Sequence, residues 1–257
     1  MTKISVIYKR GEENMKTVLV TGSSRGLGAS VIEYFASKGY NTIINYNSSK
    51  RCAEDLKEYI ENTYKVKAYV YKCDVSKENE VKSLFNKIKN DIGNIDCLVN
   101  NAGISKDNSL DDKTSKEFME VIENNLLSVF LTCKYVKLIM NKGSIINVAS
   151  NNIYNGSYIE SVDYDASKAG IVSLTHNFAK IYAPNIRVNS IAPGWIDTDM
   201  TSNIDNTFKN EEISKILLGR FACKEEIADA IYFLASNSYI NNTILKIDGG
   251  IKWILKM

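Results

Sequence analysis

Short runs rich in β-branched residues alternate along the chain with longer segments in which apolar residues recur every three or four positions. Strand followed by helix, repeated, predicts a parallel sheet covered by helices on both faces. The runs are apolar throughout, as expected of strands buried on both faces. We therefore predict an α/β fold with a doubly wound, seven-stranded parallel sheet, its strands lying in TVLVT (17–21), NTIIN (41–45), VKAYVYK (66–72), DCLVN (96–100), SIINVA (144–149), IRVNSIA (186–192) and TILKID (243–248).

Nothing in the sequence marks a boundary between two domains. The 257 residues include two prolines and no proline- or serine-rich linker, and a single α/β domain of this size has a sizeable core. We predict one domain over residues 15–257. Residues 1–14 are expected to be an N-terminal extension without a role in the fold, because KTVLVTG after Met15 has the form of a natural start. Residues 196–220 are polar and long for a connection, which indicates a lid.

The net charge and the lengths of the apolar runs indicate whether the protein binds nucleic acid or a membrane. The 32 basic and 30 acidic side chains leave a formal net charge of +2, which gives no electrostatic reason to bind nucleic acid or an anionic membrane. No apolar run approaches the ~18 residues needed to span a bilayer. We therefore expect neither nucleic acid nor membrane as a partner.

Cysteine and histidine usage favours a cytoplasmic protein without a metal. The five cysteines lie far apart and form no CxxC pair, so neither a disulfide framework nor a zinc site is indicated. The one histidine, His176, lies in the apolar helical stretch LTHNFAKIY, where packing explains it better than metal ligation. We expect no metal site.

A glycine-rich turn follows the first predicted strand and opens the first predicted helix. Gly22 permits a tight turn, Gly26 lets the backbone approach a pyrophosphate, and Gly28 lets the helix pack on the strand. The N–H groups and dipole of that helix would face the anion. A helix-capping turn with spare glycines does not explain three at this spacing. The motif predicts a dinucleotide site on a Rossmann-like sheet.

The spacing TGxxxGxG resembles that of the short-chain dehydrogenase/reductase family, and further motifs follow in the family's order. NNAG (100–103) follows the fourth strand, Ser150 ends the fifth, YDASK (164–168) opens a helix, and PG (193–194) follows the sixth. PGWIDTDM and the segment from GRFACKEEIADAIYFLAS through LKIDGG resemble the family's 3-oxoacyl-acyl-carrier-protein reductase branch. The resemblance covers roughly residues 16–250 and implies an NAD(P)-dependent oxidoreductase acting on CH–OH or C=O groups.

A tyrosine and a lysine four residues apart carry the predicted chemistry. Tyr164 and Lys168 share one helical face, so the ammonium can lie near the phenol and lower its pKa. Tyr164 would donate a proton to the substrate oxygen, which Ser150 would hold. By resemblance, Asn125 holds a water against Lys168 and completes a proton relay. Taken by itself, the YxxxK motif could simply lie on a solvent-exposed helix face. The position of the motif between the fifth and sixth strands favours a catalytic role.

Cofactor ligands follow from the same resemblance. Asp74, with Val75, corresponds to the aspartate near the adenine, NAG (101–103) would line the adenosine ribose, and the residues after the sixth strand would flank the nicotinamide. Individually each has a structural alternative, such as a helix cap for Asp74. The full predicted set is Gly22, Ser24, Arg25, Gly26, Leu27, Gly28, Asn45, Tyr46, Asp74, Val75, Asn101, Ala102, Gly103, Tyr164, Lys168, Pro193, Gly194, Ile196 and Thr198.

The stretch after the second strand bears on the choice between NAD and NADP. An acidic residue there would hold the ribose 2′-hydroxyl and repel a 2′-phosphate. The stretch NYNSSKR (45–51) has no acid before Glu54. Arg25, one of five arginines, lies in the glycine turn, where it suits a 2′-phosphate; the alternative for it is a solvated turn residue. We expect NADP(H) in preference to NAD(H).

The closest family branch implies a 3-oxoacyl thioester on acyl carrier protein and a role in fatty acid biosynthesis. Carrier proteins are acidic, but the places where the family has basic docking residues read MNKG (140–143) and APN (183–185), so Lys142 alone supports docking. The alternative substrate is another small ketone, a sugar or a secondary alcohol.

A different class also stays open: an NAD(P)-binding sensor or scaffold without catalysis, against which the intact catalytic positions argue. By resemblance we also expect a homotetramer, with the helices in 114–140 and 164–182 at an interface.

Overall fold

The computed structural model of the chain describes residues 15–154, 158–198, 201 and 204–251. The predicted N-terminal extension, residues 1–14, lies outside the described residues, and so do four positions of the predicted lid. The predicted fold class is confirmed: one α/β domain is built on a seven-stranded parallel sheet flanked by helices.

Each predicted strand is present, within two residues of its predicted bounds. The central sheet has the order β3-β2-β1-β4-β5-β6-β9, and every neighbouring pair is parallel. Two further short strands, β7 and β8, pair with each other. The strands are β1 (Thr17–Val20), β2 (Asn41–Tyr46), β3 (Ala68–Lys72), β4 (Cys97–Asn100), β5 (Gly143–Val148), β6 (Ile186–Pro193), β7 (Ile196–Asp197), β8 (Ala222–Cys223) and β9 (Ile244–Ile247).

The strand order places a crevice at the middle of the sheet. The chain moves outward from β1 to β3 and then returns to β4 on the other side of β1. The loops after β1 and β4 therefore leave the sheet in opposite directions, and a crevice opens at the carboxyl ends of these strands.

Helices cover both faces of the sheet. They are α1 (Gly26–Ser37), α2 (Lys50–Tyr64), α3 (Glu78–Asp91), α4 (Ser115–Ile122), α5 (Ser128–Tyr135), α6 (Val162–Tyr182), α7 (Asn206–Lys215) and α8 (Lys224–Ser236). Helices α1, α2 and α8 pack on one face, and α3, α5 and α6 pack on the other. The sequence predicts one long helix over 114–140, whereas a π-helical segment, Glu123–Leu127, joins α4 to α5.

The strands are buried on both faces, as their unbroken apolar sequences predict. Along β1, Val18 and Val20 pack in the cluster beneath α1 and α8, while Leu19 packs in the cluster beneath α3 and α6. All three side chains are fully buried. Burying each such side chain contributes about 1.5–3 kcal/mol, so the sheet anchors the loops at its carboxyl edge.

The predicted lid contains β7 and α7 and ends near β8. Its end is tied to the segment after β9: Ile216 forms an antiparallel bridge with Ile251, and Leu217 N donates to Gly250 O at 2.7 Å. The residues that directly follow α7 are therefore attached to the backbone next to the last strand of the sheet.

Two properties of the described residues bear on membranes and metals. No helix there is both long enough and apolar enough to cross a bilayer. Within the same residues, no group of three or more His, Cys, Asp or Glu side chains is arranged to hold a metal ion.

Candidate active site

A cavity of about 550 Å³ opens at the carboxyl edge of the sheet. Every residue of the predicted cofactor set lines it, and so does Ser150. The structure thus brings together side chains that are spread over most of the chain. Sequence reasoning missed other lining residues, most of which follow the ends of β2, β4 and β5, a position that could have indicated them: Asn47, Ser48, Ser49, Cys73, Ile104, Asn124, Val148 and Ala149.

The glycine turn forms one wall of the cavity and leaves no room for a Cβ atom at Gly22 or Gly28. Gly22 has φ +61°, and a Cβ atom on it would lie 2.9 Å from Ala102 Cα. A Cβ on Gly28 would lie 2.6 Å from Gly22 O. Gly26 has φ +58° and open space beside it. Such backbone conformations favour glycine, and the turn leads directly into the N-terminus of α1, where N–H groups are free to bind an anion.

Two asparagine side chains hold this turn in place. Asn45 Oδ1 accepts a hydrogen bond from Gly22 N at 3.0 Å, while its Nδ2 donates to Cys73 O at 3.1 Å. Asn101 Nδ2 donates to Thr21 O at 3.0 Å and Gly22 O at 3.1 Å. Both side chains line the cavity, but their amide groups bind the protein backbone and therefore shape the wall.

Asp74 does not cap the next helix, because the N-cap of α3 is Lys77 and no side chain caps that helix. Its side chain lines the cavity, and its Oδ1 accepts hydrogen bonds from Ser76 N at 3.0 Å and Ser76 Oγ at 2.7 Å. The carboxylate therefore stabilises the turn between β3 and α3. It is the one carboxylate among the described residues that line the cavity.

The predicted catalytic side chains meet at the other end of the cavity. Ser150 follows β5, and its Oγ accepts a hydrogen bond from Asn152 N at 3.2 Å. The Ser150 hydroxyl lies close enough to the Tyr164 hydroxyl to lower the pKa of that group. Lys168 Nζ lies 5.4 Å from the centroid of the Tyr164 ring and donates to Val148 O at 2.8 Å. The geometry can hold a carbonyl oxygen beside two hydroxyl groups with an ammonium nearby.

The ionisation of Tyr164 differs from the sequence-based expectation. Burial raises the pKa of Tyr164 to about 12, the neighbouring Ser150 hydroxyl opposes that rise, and the charges of Asp165 and Asp107 add to it. Burial also lowers the pKa of Lys168 to about 8. Because desolvation disfavours the charged form of each group, the hydroxyl of Tyr164 is protonated at neutral pH and is available as an acid.

Asn125 lies beneath the cavity rather than on its surface. It is fully buried in the π-helical segment. Its Oδ1 accepts from Ile104 N at 2.8 Å, and its Nδ2 donates to Ile104 O at 2.9 Å and Ser167 Oγ at 3.1 Å. The amide thus joins the segment after β4 to α6. A Cβ on Gly103 would lie 3.2 Å from Asn125 Oδ1 and 3.7 Å from Lys168 Nζ, so glycine keeps the space between these groups open.

The lining of the cavity suits a dinucleotide. Its glycine turn and helix N-terminus suit a pyrophosphate, and Pro193 and Gly194, at the end of β6, also line it. A family model described as "Enoyl-(Acyl carrier protein) reductase" matches residues 22–252. The chain belongs to the short-chain dehydrogenase/reductase family. It is an NAD(P)-dependent oxidoreductase acting on carbonyl or hydroxyl groups.

Curated relatives of this short-chain dehydrogenase/reductase cover nearly all of the chain. Carbonyl reductase family member 4 of Xenopus laevis is 37% identical over 245 residues, which are 92% of this chain and 98% of the relative. A 3-oxoacyl-acyl-carrier-protein reductase of Chlamydia muridarum is 40% identical over 244 residues, which are 91% of this chain and 96% of that protein.

A solved structure shows the same fold. It is a double mutant of a short-chain dehydrogenase/reductase from Serratia marcescens, with a TM-score of 0.87 and 28% sequence identity. The match covers 91% of this chain and 97% of that one. The seven-stranded sheet and its helices are therefore shared across almost the whole domain.

Proposed function

We propose that this short-chain dehydrogenase/reductase is an NADPH-dependent carbonyl reductase with Tyr164 as its proton donor, and that its substrate is a 3-oxoacyl thioester on acyl carrier protein. The observation that carries the reductase proposal is that Ser150, Tyr164 and Lys168 line the same cavity, with Lys168 Nζ beside the Tyr164 ring. The Chlamydia muridarum relative and one from Aquifex aeolicus, 37% identical over 241 residues, support the substrate.

The cofactor would lie along the cavity from the glycine turn to Pro193. Its pyrophosphate would bind the N-terminus of α1, and its adenine would lie beside Asp74 and Val75. Arg25, with the hydroxyl groups of Ser48 and Ser49, would bind a 2′-phosphate. NADPH supplies the hydride when it is bound.

The chain's own residues would supply binding and the proton. Ser150 holds the substrate oxygen, and Tyr164 donates its hydroxyl proton to that oxygen as the carbonyl becomes an alcohol. The ammonium of Lys168 stabilises the phenolate that remains. Asn125 and the space beside Gly103 would hold the water through which Tyr164 regains a proton.

A small ketone, sugar or secondary alcohol is the second candidate substrate, and one observation favours it. Lys142, the basic residue that supports carrier docking, directly precedes β5 and so lies at the amino edge of the sheet, whereas the cavity lies at the carboxyl edge. Six residues of strand separate the two edges by roughly 20 Å. The relative in Xenopus laevis is named for carbonyl reduction alone.

The initial rate of NADPH oxidation tests the function. Acetoacetyl thioester is presented on pantetheine and on acyl carrier protein, with small ketones and alcohols measured in parallel. Faster turnover on the carrier form supports the proposed substrate, and turnover on small ketones alone favours the second candidate. Tyr164→Phe should abolish turnover and retain NADPH binding; a protein that binds NADPH and reduces nothing would instead be a sensor or scaffold.

We also propose a cytoplasmic homotetramer. Exposed apolar side chains lie within the two predicted interface helices, 114–140 and 164–182: Met119, Leu127, Phe130 and Ile181. All five cysteines are free thiols, which suits a reducing compartment. Light scattering after size exclusion measures the assembly, and Phe130→Glu should dissociate it; a monomeric wild-type protein would contradict the proposal.

A further inference from the structure

A buried carboxylate outside the cavity joins the lid helix to two loops near the catalytic tyrosine. Glu212 lies on α7 and is 3% exposed. Its Oε2 accepts hydrogen bonds from the Tyr158 hydroxyl at 2.5 Å and from Trp195 Nε1 at 3.1 Å. Its Oε1 accepts from Lys215 Nζ at 2.5 Å. Both carboxylate oxygens therefore have partners within the protein, and none of these residues has a role in the chemistry proposed above.

The loops that Glu212 joins to α7 lie at the border of the cavity, next to residues that line it. Tyr158 lies between Ser150 and Tyr164, in the loop that connects β5 to α6. Trp195 stands between two cavity-lining residues, Gly194 and Ile196. One carboxylate on α7 thus fixes the lid helix to the loops that follow β5 and β6.

Aromatic rings surround this carboxylate. The Trp195 ring centroid lies 5.9 Å from those of Tyr158 and Phe208, and Trp195 stacks on Phe221 at 5.4 Å. Phe208 is also on α7, so apolar and polar contacts hold the same helix. Hydrogen bonds to a carboxylate are strong in such apolar surroundings, and a donor left unpaired there is costly.

The protonation state of the Tyr158 hydroxyl is consistent with its role as a hydrogen-bond donor to Glu212. Burial and the hydrogen bond to Glu212 raise the pKa of the Tyr158 hydroxyl, while the hydrogen bond with Trp195 opposes the rise. The hydroxyl therefore keeps its proton through the neutral range and donates it to Glu212. We call Tyr158, Trp195 and Glu212 the latch.

We propose that Glu212 is a positioning residue that determines substrate size: through the latch it holds the lid helix against the loop that carries Tyr158, and so restricts the site to compact carbonyl substrates. The inference rests on the proposed reductase function. A short 3-oxoacyl group or small ketone fits with the latch closed. A long acyl chain passing between α7 and the two loops has to break these hydrogen bonds.

The kinetic test compares acetoacetyl and 3-oxododecanoyl thioesters of pantetheine. Glu212→Leu removes the acceptor, Glu212→Gln keeps one carbonyl oxygen, and Glu211→Leu changes an exposed neighbour on the same helix as the control. In Glu212→Leu we expect the ratio of KM for the long substrate to KM for the short one to fall about tenfold, as expected from loss of a hydrogen bond to a charged group, with kcat for each nearly unchanged. Glu212→Gln should restore part of the selectivity.

Hydrogen exchange provides a second measurement that needs no turnover. The amides of α7 should exchange faster in Glu212→Leu and in Tyr158→Phe but not in Glu211→Leu. In the double variant that combines Glu212→Leu with Tyr158→Phe, the α7 amides should exchange no faster than in Glu212→Leu alone, because both changes break the same hydrogen bond.

Several results would overturn the inference. One is that the α7 amides exchange at the wild-type rate in both Glu212→Leu and Tyr158→Phe. Another is that the ratio of KM for the long substrate to KM for the short one is unchanged in Glu212→Leu. Wild-type protein that reduces neither thioesters nor small ketones would instead overturn the proposed function, and the exchange measurement would still decide whether the latch exists.

Discussion

Lys113 and Asp163 form a buried ion pair directly beside Tyr164. Lys113 Nζ lies 2.9 and 3.0 Å from the two carboxylate oxygens of Asp163, and the two side chains are 3% and 0% exposed. Asp163 Oδ1 also accepts a hydrogen bond from Tyr164 N at 2.9 Å. The pair ties the segment before α4 to the first turn of α6, the helix that presents Tyr164 and Lys168.

Removing one partner of this pair should strongly destabilise the protein. Lys113→Met leaves the Asp163 carboxylate buried without its cation, at an expected cost of about 3–5 kcal/mol in the free energy of unfolding. Urea denaturation measures it. Arg51→Ala is the matched control, because the pair Arg51–Asp55 is 94% and 69% exposed and should contribute less than about 1 kcal/mol. Equal losses in the two variants would contradict the argument from burial.

Replacing Gly28 by alanine should abolish cofactor binding. The new Cβ would lie 2.6 Å from Gly22 O, so the glycine turn has to shift away from the position that faces the pyrophosphate. Fluorescence titration with NADPH measures the loss. Gly39→Ala is the control: it also has a positive φ, +83°, but has open space beside it and lies outside the cavity. That variant should lose about 1 kcal/mol of stability and bind NADPH normally.

Arg25 should discriminate between the two nicotinamide cofactors. Arg25→Ala removes a cation from the cavity wall, so KM for NADPH should rise about tenfold or more, as for loss of a charge-assisted hydrogen bond. KM for NADH, which lacks the 2′-phosphate, should change little. Initial rates with both cofactors measure the effect. An equal rise in KM for NADH would mean that Arg25 stabilises the glycine turn and does not bind the 2′-phosphate.

The rate of reduction should fall as the pH rises through about 8. Burial lowers the pKa of Lys168 to about 8, so its ammonium is present below that pH and lost above it. Tyr164, whose pKa burial raises to about 12, keeps its proton over the whole range. A pH profile of kcat for reduction measures the falling limb.

Variants at position 168 test whether Lys168 is the group whose titration causes the fall in kcat at high pH. Lys168→Arg keeps its charge to much higher pH and should move the falling limb upward, whereas Lys168→Met should be slow at every pH. A limb that stays near the same pH in Lys168→Arg would show that another group titrates.

The sequence identified most of the candidate site because its signals are local. The glycine turn, the strand-end position of Ser150 and the four-residue spacing of Tyr164 and Lys168 each lie within one element and its adjoining turn. Parallel strands then bring their carboxyl ends to one edge of the sheet. The resemblance to the family supplied Asp74, Val75 and Asn101, and the structure places these residues in the same cavity.

The expected pKa of Tyr164 shows where local spacing was insufficient. The four-residue spacing places Lys168 near the ring, but it does not determine how much solvent either group loses. In the folded chain, desolvation dominates both shifts. Likewise, the spacing does not show that Asn45 and Asn101 use their amides to bind the backbone of the turn.

The sequence by itself determined the order of strands and helices and the chemistry of the cofactor turn, because hydrophobic period and turn composition act over a few residues. Only the tertiary structure decided which distant groups pair. Tyr158 reaches Glu212 across 54 residues, and Lys113 reaches Asp163 across 50. Such contacts depend on how the layers stack and on which loops the sheet brings side by side. The resulting burial determines the strength of these contacts and the ionisation of Tyr164 and Lys168.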